Sequence, residues 1–243
     1  MRVAVMGYGP VGQATEMMLT KAGIEVSVQD PIKEMYIADW SDIDLAFICV
    51  PSNDDGEGRL DLSFIHQACR DVPRPVHCII RSTIGPDQVD DFPDASVMPE
   101  FIRENHWAED INSKLTPCVI GLGGEGVPGM SEMITLFIRN LMSPIVTDPK
   151  SAMMMKMSIN TFLAMKVAFA NNLWIMCKAQ GISYDHIKEL IQLDVRTGKS
   201  HWDVPGPDGK FGYSGKCFPK DTNHFASMAN SPFLDEILKY QTK

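Results

Sequence analysis

The sequence lacks a long uninterrupted apolar run, and it lacks the cysteine spacings typical of metal sites. No stretch of its 243 residues approaches the roughly 18 apolar residues that a membrane-spanning helix needs, so we expect no membrane segment. No apolar run with a small-residue cleavage site follows Met1, which predicts that no signal peptide is present. The six cysteines include no CxxC pair, so we expect reduced thiols, a cytoplasmic location and no bound metal.

Positive charge is also scarce. The chain has 22 lysines and arginines against 31 acidic residues, a net charge of −9. This balance argues against a nucleic-acid partner or an anionic membrane surface. The hydrophobic fraction of 44% and the charged fraction of 22% are those of an ordinary globular protein, with room for one large or two modest domains.

In the first half of the chain, short β-rich runs alternate with helical stretches. This alternation predicts βαβ units, and therefore an α/β fold with a doubly wound parallel sheet, the Rossmann architecture, over residues 1–148. The predicted strands are Val3–Met6, Glu25–Gln29, Leu45–Val50, Val76–Arg81 and Cys118–Gly121. The predicted helices are Val11–Ala22, Leu62–Asp71 and Ser131–Asn140.

The pattern changes near residue 148. Residues 151–180 contain neither glycine nor proline, which predicts one helix about 45 Å long. A shorter helix, Tyr184–Leu193, and a loop rich in glycine and proline, Thr197–Lys220, follow. We therefore expect a second, helical domain over residues 149–243, built on the long helix.

A dinucleotide-binding fingerprint follows the first strand. Gly7, Gly9 and Gly12 have the GxGxxG spacing, in which the glycines permit a tight turn, approach of a pyrophosphate, and close packing of helix on strand. Asp30 ends the second strand, where a carboxylate would accept hydrogen bonds from a ribose and repel a 2′-phosphate. NAD is therefore favoured over NADP, although Lys33 nearby leaves NADP open.

The segment Gly212–Asp221 places Cys217 in a glycine-containing loop between Lys216 and Lys220. Neighbouring cations favour the thiolate form of a cysteine, which is the nucleophilic form. Asp221 lies four residues on, so the two side chains would face one another if the chain turned helical. By composition alone, a structural cysteine in a tight loop explains the segment equally well.

Other polar residues stand where a site could form. Lys156 and Asn160 are four residues apart on the predicted long helix and share one face beside several methionines, which indicates a partly buried polar pair. Arg81–Thr83 ends one predicted strand and Pro99–Glu104 follows another, at the edge where open α/β sheets hold their ligands. Each of these features alone is also compatible with an ordinary solvated surface.

Taken in order, these residues resemble the UDP-glucose/GDP-mannose dehydrogenase family over residues 1 to about 225. The matching elements are Gly7–Gly12, Cys49-Val50-Pro51-Ser52, Ser82-Thr83, Pro99-Glu100-Phe101, Lys156-x-x-x-Asn160, Asp194–Gly198 and Cys217-Phe218-Pro219-Lys220-Asp221. The last of these, after a glycine-containing loop, is the most specific.

The resemblance implies an NAD-dependent oxidation of a nucleotide sugar at its C6 alcohol to the uronic acid, with UDP-glucose as the favoured substrate. Cys217 would attack the intermediate aldehyde, and oxidation of the thiohemiacetal would give a thioester that water cleaves. Around it the resemblance implies catalytic roles for Lys156, Asn160, Asp221, Thr83 and Glu100.

The resemblance also implies two sets of binding residues. The cofactor set is Gly7, Gly9, Pro10, Val11, Gly12, Asp30, Val50, Pro51, Ser82 and Thr83. The substrate set is Glu100, Phe101, Glu104, Lys156, Asn160, Arg196 and Gly215. Arg196 would be lent to the sugar site of a second subunit, which fits a homodimer formed through the 151–180 helix.

Two departures from the family pattern keep alternatives open. Ser214-Gly215-Lys216 stands where the family has two adjacent glycines and a small residue, and family members continue into a second dinucleotide-fold domain, so we expect a short form without that UDP-binding domain. A two-domain hydroxyacid dehydrogenase that performs a single oxidation is one alternative. The other is a non-catalytic NAD-binding subunit that needs a partner chain.

Overall fold

The structure is a computed structural model that describes residues 1–103, 106–113, 117–124 and 126–242. The chain forms two compact units. The first comprises Met1–Asn53 and Leu60–Lys156, and the second comprises Asp54–Arg59 and Met157–Lys243. No helix of the described residues is both long and apolar enough to cross a membrane.

A seven-stranded sheet organises the first unit, in the order β2-β1-β3-β6-β7-β8-β9. The two remaining short strands, β4 and β5, pair with each other. The strands are β1 Arg2–Met6, β2 Glu25–Gln29, β3 Ile43–Ile48, β4 Asn53–Asp54, β5 Leu60–Asp61, β6 His77–Ile80, β7 Ser96–Val97, β8 Val119–Gly121 and β9 Ile145–Thr147.

The predicted α/β fold with a Rossmann-like sheet is confirmed. From β2 to β7 all neighbouring strands are parallel, with Val5 opposite Val28 on one side and Phe47 on the other. The β7–β8 pair is antiparallel, so the sheet is mixed at this end. The central strands are apolar on both faces, as parallel strands covered by helices must be, and the side chains of Val3, Val5 and Phe47 are fully buried.

Helices flank this sheet in the first unit. Helix α1 begins at Pro10, where the missing N–H of proline costs no helical hydrogen bond. It buries Ala14, Met18 and Leu19 in the same core cluster as Val5 and Phe47. The helices are α1 Pro10–Lys21, α2 Ser63–Asp71, α3 Trp107–Ser113 and α4 Met130–Asn140.

The long helix predicted from the sequence is present as α5, Pro149–Ala179, and its residues from Met157 onward belong to the second unit. Three shorter helices follow, α6 Tyr184–Ile191, α7 Phe218–Ser227 and α8 Pro232–Leu238. One core cluster of the second unit joins Ala164 and Ala168 of α5 with Tyr213 and Ile237. A domain boundary near residue 148 stays a proposal.

Candidate active site

The predicted cofactor residues of the first unit, and the predicted catalytic residue Glu100, follow the carboxyl ends of its parallel strands. Gly7 follows β1, Asp30 follows β2, and Val50 lies just after β3. Ser82 comes just after β6, and Glu100 comes after β7. Because these strands are parallel, their carboxyl ends meet at one edge of the sheet, which is where open α/β sheets hold ligands.

The three fingerprint glycines have three different surroundings. Gly7 has a φ of +89°, and a Cβ there would lie 2.9 Å from the Cys49 carbonyl oxygen. A Cβ on Gly12 would lie 2.1 Å from the Gly7 carbonyl oxygen, so only glycine allows α1 to start so close to β1. A Cβ on Gly9 would meet nothing within 4 Å. That open position, at the N-cap of α1, is where a pyrophosphate could approach the backbone.

Asp30 is buried and anchors the fingerprint turn. Its carboxylate accepts hydrogen bonds from the backbone N–H of Tyr8 at 2.7 Å, Ile32 at 3.0 Å and Lys33 at 3.2 Å. The ammonium of Lys33 donates to the Tyr8 carbonyl oxygen at 2.7 Å and lies 5.1 Å from the centre of the Tyr8 ring. Both side chains that bear on the choice between NAD and NADP therefore contact the fingerprint itself.

Ser82 ties two strand ends together. Its hydroxyl donates to the carbonyl oxygen of Val50 at 2.6 Å, and the side chains of Ser82 and Thr83 are both buried. Arg81, which the sequence pattern placed at this edge without a role of its own, is 3% exposed and donates from Nη1 to the Met98 carbonyl oxygen at 3.2 Å. The Nε of Arg81 has no hydrogen-bond partner among the described residues. Its place beside Ser82 was the signal that could have singled it out.

Lys156 and Glu100 form a buried ion pair in the first unit. The ammonium of Lys156 lies 3.3 Å from Glu100 Oε1 and 2.5 Å from the Glu100 carbonyl oxygen. The same ammonium lies 5.1 Å from the centre of the Phe101 ring, and the Ile102 N–H donates to Glu100 Oε2 at 2.8 Å. The structure therefore joins Lys156 with Glu100 and Phe101, which stand in two separate motifs of the sequence.

Asp221 is the centre of a second buried cluster, which lies in the second unit. It is fully buried and accepts hydrogen bonds from Asn160 Nδ2 and from the Lys220 ammonium, both at 2.6 Å. Lys220 was predicted as a cation beside Cys217, and the structure shows that its ammonium contacts the carboxylate. The charge-assisted hydrogen bond to this buried carboxylate fixes the position of the Asn160 amide, and the bond from Lys220 balances the charge of the carboxylate.

Cys217 stands at the start of α7. It is the N-cap residue, and its carbonyl oxygen accepts the Asp221 N–H at 3.0 Å, which gives the helical turn on which the predicted Cys217–Asp221 relation depends. Cys217 is exposed, whereas burial raises the pKa of Cys49 and of Cys118 to about 11 each. Buried thiols of this kind stay protonated at neutral pH. Among the six cysteines, all of which lie in the part of the chain that the structure describes, Cys217 is the exposed one and therefore the accessible candidate nucleophile. Gly215 in the same loop has a φ of +84°.

Arg196 lies in a short 3-10 helix, Val195–Thr197, and its guanidinium pairs with the Asp194 carboxylate at 2.5 Å. Its side chain is 87% exposed. It lines a cavity of about 510 Å³ whose other walls are mostly aromatic and aliphatic, including Phe162, Phe169 and Trp202. The Arg196 side chain is therefore accessible on the surface of the second unit.

The structure thus brings the selected residues together in groups within each unit. Glu104 lies outside the described residues. The comparisons with known proteins bear on what the groups are for. Residues 150–240 match the model of the central domain of the UDP-glucose/GDP-mannose dehydrogenase family. Together with the 33% identity to the relative described next, this match shows that the chain belongs to the UDP-glucose/GDP-mannose dehydrogenase family, as predicted.

One relative is the UDP-glucose 6-dehydrogenase of Rhizobium meliloti (strain 1021). It is 33% identical over 202 residues, which are 74% of this chain and 44% of the relative. The chain spans about half the length of the curated relatives it matches.

Two solved structures share the fold. A UDP-glucose dehydrogenase from the hyperthermophilic archaeon Pyrobaculum islandicum superposes with a TM-score of 0.77 at 22% identity, over 98% of this chain and 68% of that one. The 3-hydroxyisobutyrate dehydrogenase of Mycobacterium tuberculosis superposes with a TM-score of 0.71 at 16% identity, over 98% of this chain and 91% of that one. At these identities the likeness shows the fold alone.

Proposed function

We propose that this chain carries out the NAD-dependent oxidation of a nucleotide sugar at C6 to the uronic acid, with UDP-glucose as the favoured substrate. The observation that carries the proposal is the exposed Cys217 at the start of α7, one turn before the buried Asp221 that holds Asn160. A single oxidation of an alcohol needs no thiol, whereas oxidation on to the acid needs a nucleophile that forms an adduct with the aldehyde.

The first unit fits NAD. The open space at Gly9 would accept a pyrophosphate, and the N-terminus of α1 offers N–H groups to it. Asp30 would bind the adenosine ribose, because its carboxylate has lone pairs beyond the three backbone N–H groups that it accepts. When bound, NAD supplies the acceptor for each hydride. The remaining residues that would hold it are Gly7, Pro10, Val11, Gly12, Val50, Pro51, Ser82 and Thr83.

The thiol and its neighbours divide the four-electron reaction into steps. Loss of a hydride and a proton from the C6 alcohol gives the aldehyde. The Cys217 sulfur then bonds to the aldehyde carbon, and the thiol proton ends on oxygen, giving a thiohemiacetal. Loss of a second hydride and proton leaves a thioester, and water cleaves the C–S bond to release the acid and the thiol.

The other selected residues would act on the oxygen and on the water. Lys156 would stabilise negative charge that develops on the reacting oxygen, and Asn160 and Asp221 would orient it. Glu100 would act as the base for thioester hydrolysis, with Thr83 helping to place the water. Phe101, Glu104, Gly215 and Arg196 complete the proposed substrate residues.

We also propose a homodimer formed through α5. This helix exposes large apolar side chains, including Phe162 and Phe169, each 57% exposed, and Met176, 63% exposed. Such a stripe costs solvation free energy unless a second apolar surface covers it. Analytical ultracentrifugation of the unsubstituted chain should show a dimer, and Phe162→Glu should give a monomer. A monomeric unsubstituted chain would contradict this assignment. The cytoplasmic location stays a prediction.

The experiment that tests the reaction is NADH formation with excess NAD and a panel of UDP-glucose, UDP-N-acetylated sugars, GDP-mannose, 6-phosphogluconate and 3-hydroxyisobutyrate. We expect two NADH for each nucleotide sugar consumed, and loss of the acid product in Cys217→Ala. One NADH per hydroxyacid, with Cys217→Ala as fast as the unsubstituted chain, would overturn the proposal in favour of a single oxidation. NAD binding without turnover on any substrate would indicate a subunit that needs its partner.

A further inference from the structure

The loop that carries Cys217 is anchored at both ends within the second unit. At its later end, Cys217 begins α7 and its carbonyl oxygen accepts the Asp221 N–H. At its earlier end stand Gly212 and Tyr213, which lie outside any helix or long strand. What holds this earlier end therefore decides how far the thiol can move.

Residues 240–242, which we name the strap, hold that earlier end. The Tyr213 N–H donates to the Tyr240 carbonyl oxygen at 2.9 Å, and the Thr242 N–H donates to the Tyr213 carbonyl oxygen at 3.0 Å. These two bonds form a parallel bridge between Tyr213 and Gln241. The Thr242 hydroxyl adds a third bond to the same Tyr213 oxygen, also at 3.0 Å.

The approach of the strap is so close that it requires glycine beside Tyr213. A Cβ on Gly212 would lie 2.1 Å from the Tyr240 carbonyl oxygen, and the φ of Gly212 is +86°. The Gly212 N–H donates to Asn171 Oδ1 of α5 at 3.0 Å. At Gly212 the loop therefore lies between α5 and the strap and is in close contact with both.

The strap also contacts the helix at the other end of the loop. Gln241 Nε2 donates to Asn223 Oδ1 of α7 at 2.6 Å. Tyr213, which is 2% exposed, donates its hydroxyl to the Ile237 carbonyl oxygen of α8 at 3.2 Å. One short segment thus contacts both the residue where the loop begins and the helix where it ends.

We propose that the strap sets the position and reactivity of the Cys217 thiol, with Thr242 and Gln241 as positioning residues. The effect on turnover rests on the proposed function, whereas the effect on the thiol does not. Three residues separate Tyr213 from Cys217, so a small shift at Tyr213 moves the thiol relative to the N-terminus of α7. A misplacement of about 1 Å is enough to slow a reaction that depends on alignment.

The test compares Thr242→Val and Gln241→Met with the unsubstituted chain. Each of these two variants removes one hydrogen bond of the strap and replaces the side chain with an apolar one of similar size. A third variant, Thr242→Ser, keeps the hydroxyl. The first measurement is the rate constant for alkylation of Cys217 by iodoacetamide from pH 6 to 9, read on the Cys217 peptide by mass spectrometry. We expect the rate at pH 7 to fall about fivefold in Thr242→Val and Gln241→Met, and to recover in Thr242→Ser.

A matched control is Thr135→Val in α4, which removes the hydroxyl bond from Thr135 to the Ser131 carbonyl oxygen at 2.8 Å in the first unit. It should leave alkylation of Cys217 unchanged. The second measurement is turnover, where kcat should fall in both strap variants while the KM for NAD stays the same. Unchanged alkylation profiles in Thr242→Val and Gln241→Met, or no recovery in Thr242→Ser, would overturn the proposal. If no substrate is turned over, the alkylation rates still decide it.

Discussion

Replacing Gly9 or Gly12 with alanine should separate cofactor binding from folding. Both substitutions add one methyl group to the same fingerprint, three residues apart. The methyl group on Gly12 would lie 2.1 Å from the Gly7 carbonyl oxygen, whereas the one on Gly9 would meet nothing within 4 Å. Gly12→Ala should therefore damage the fold, and Gly9→Ala should damage the binding of a ligand that occupies the open space.

The expected magnitudes follow from these distances. Relief of the Gly12 contact requires α1 to move by roughly 1 Å, and overpacking of this kind costs about 1–3 kcal/mol. For a chain of this size, each kcal/mol lowers Tm by about 2–4 °C. Gly12→Ala should lower Tm by about 2–12 °C. Gly9 is the N-cap residue of α1, where alanine costs about 1 kcal/mol or less.

Thermal unfolding followed by circular dichroism measures the first effect, and isothermal titration calorimetry with NAD measures the second. Gly9→Ala should raise the Kd for NAD about tenfold or more, which is about 1.4 kcal/mol, because the methyl group stands where the pyrophosphate would approach. If Gly9→Ala binds NAD as tightly as the unsubstituted chain, the open space is not the pyrophosphate site. If Gly12→Ala melts at the unchanged temperature, the helix has room that the structure does not show.

Two further substitutions test buried polar groups. Asp221→Asn leaves the Lys220 ammonium without its anion and weakens the hydrogen bond to Asn160. The free energy of unfolding, measured in urea, should therefore fall by about 3–5 kcal/mol. An unchanged value would show that water solvates the Lys220–Asp221 pair. Burial lowers the pKa of His77, whose Nε2 accepts the Ser96 N–H at 3.2 Å. The unfolded chain therefore binds a proton on the His77 ring more readily than the folded chain does. Because of this, the free energy of unfolding should fall as the pH drops through about 6.5. His77→Gln should flatten that fall, and a curve that stays equally steep would refute this assignment.

The fingerprint and the parallel strands were predictable because their signals are local. The GxGxxG spacing, the strand before it and the proline that opens α1 all lie within about a dozen residues. Gly7 and Gly12 have the tight surroundings that their places in the pattern imply, whereas the pyrophosphate contact at Gly9 stays a prediction. Strand β9, Ile145–Thr147, was missed, because three residues carry too little periodicity to indicate a strand.

Contacts between distant segments could not be predicted. Lys166 reads as an ordinary solvated lysine on a helix, yet it is 8% exposed, and its ammonium lies 4.9 Å from the centre of the Trp202 ring. It also donates to the Gly198 carbonyl oxygen at 3.2 Å, and burial lowers its pKa. Nothing near Lys166 in the sequence indicates that a segment more than thirty residues later would cover it.

Lys156 and Asn160 lie between these two cases. Their spacing on an apolar helix correctly predicted burial, since Lys156 is 3% exposed and Asn160 is 7% exposed. The two side chains nevertheless have separate partners, Glu100 for Lys156 and Asp221 for Asn160. A buried ammonium needs an anion, and a buried amide needs its own hydrogen-bond partners, because unpaired polar groups are costly in an apolar interior. Two polar residues one turn apart among methionines therefore predict two compensating groups elsewhere in the chain. Pattern alone does not name those groups. The resemblance did select both, since Glu100 and Asp221 each stand in one of the family's motifs. The ion pair and the hydrogen bond give each of these two motifs a physical partner on α5.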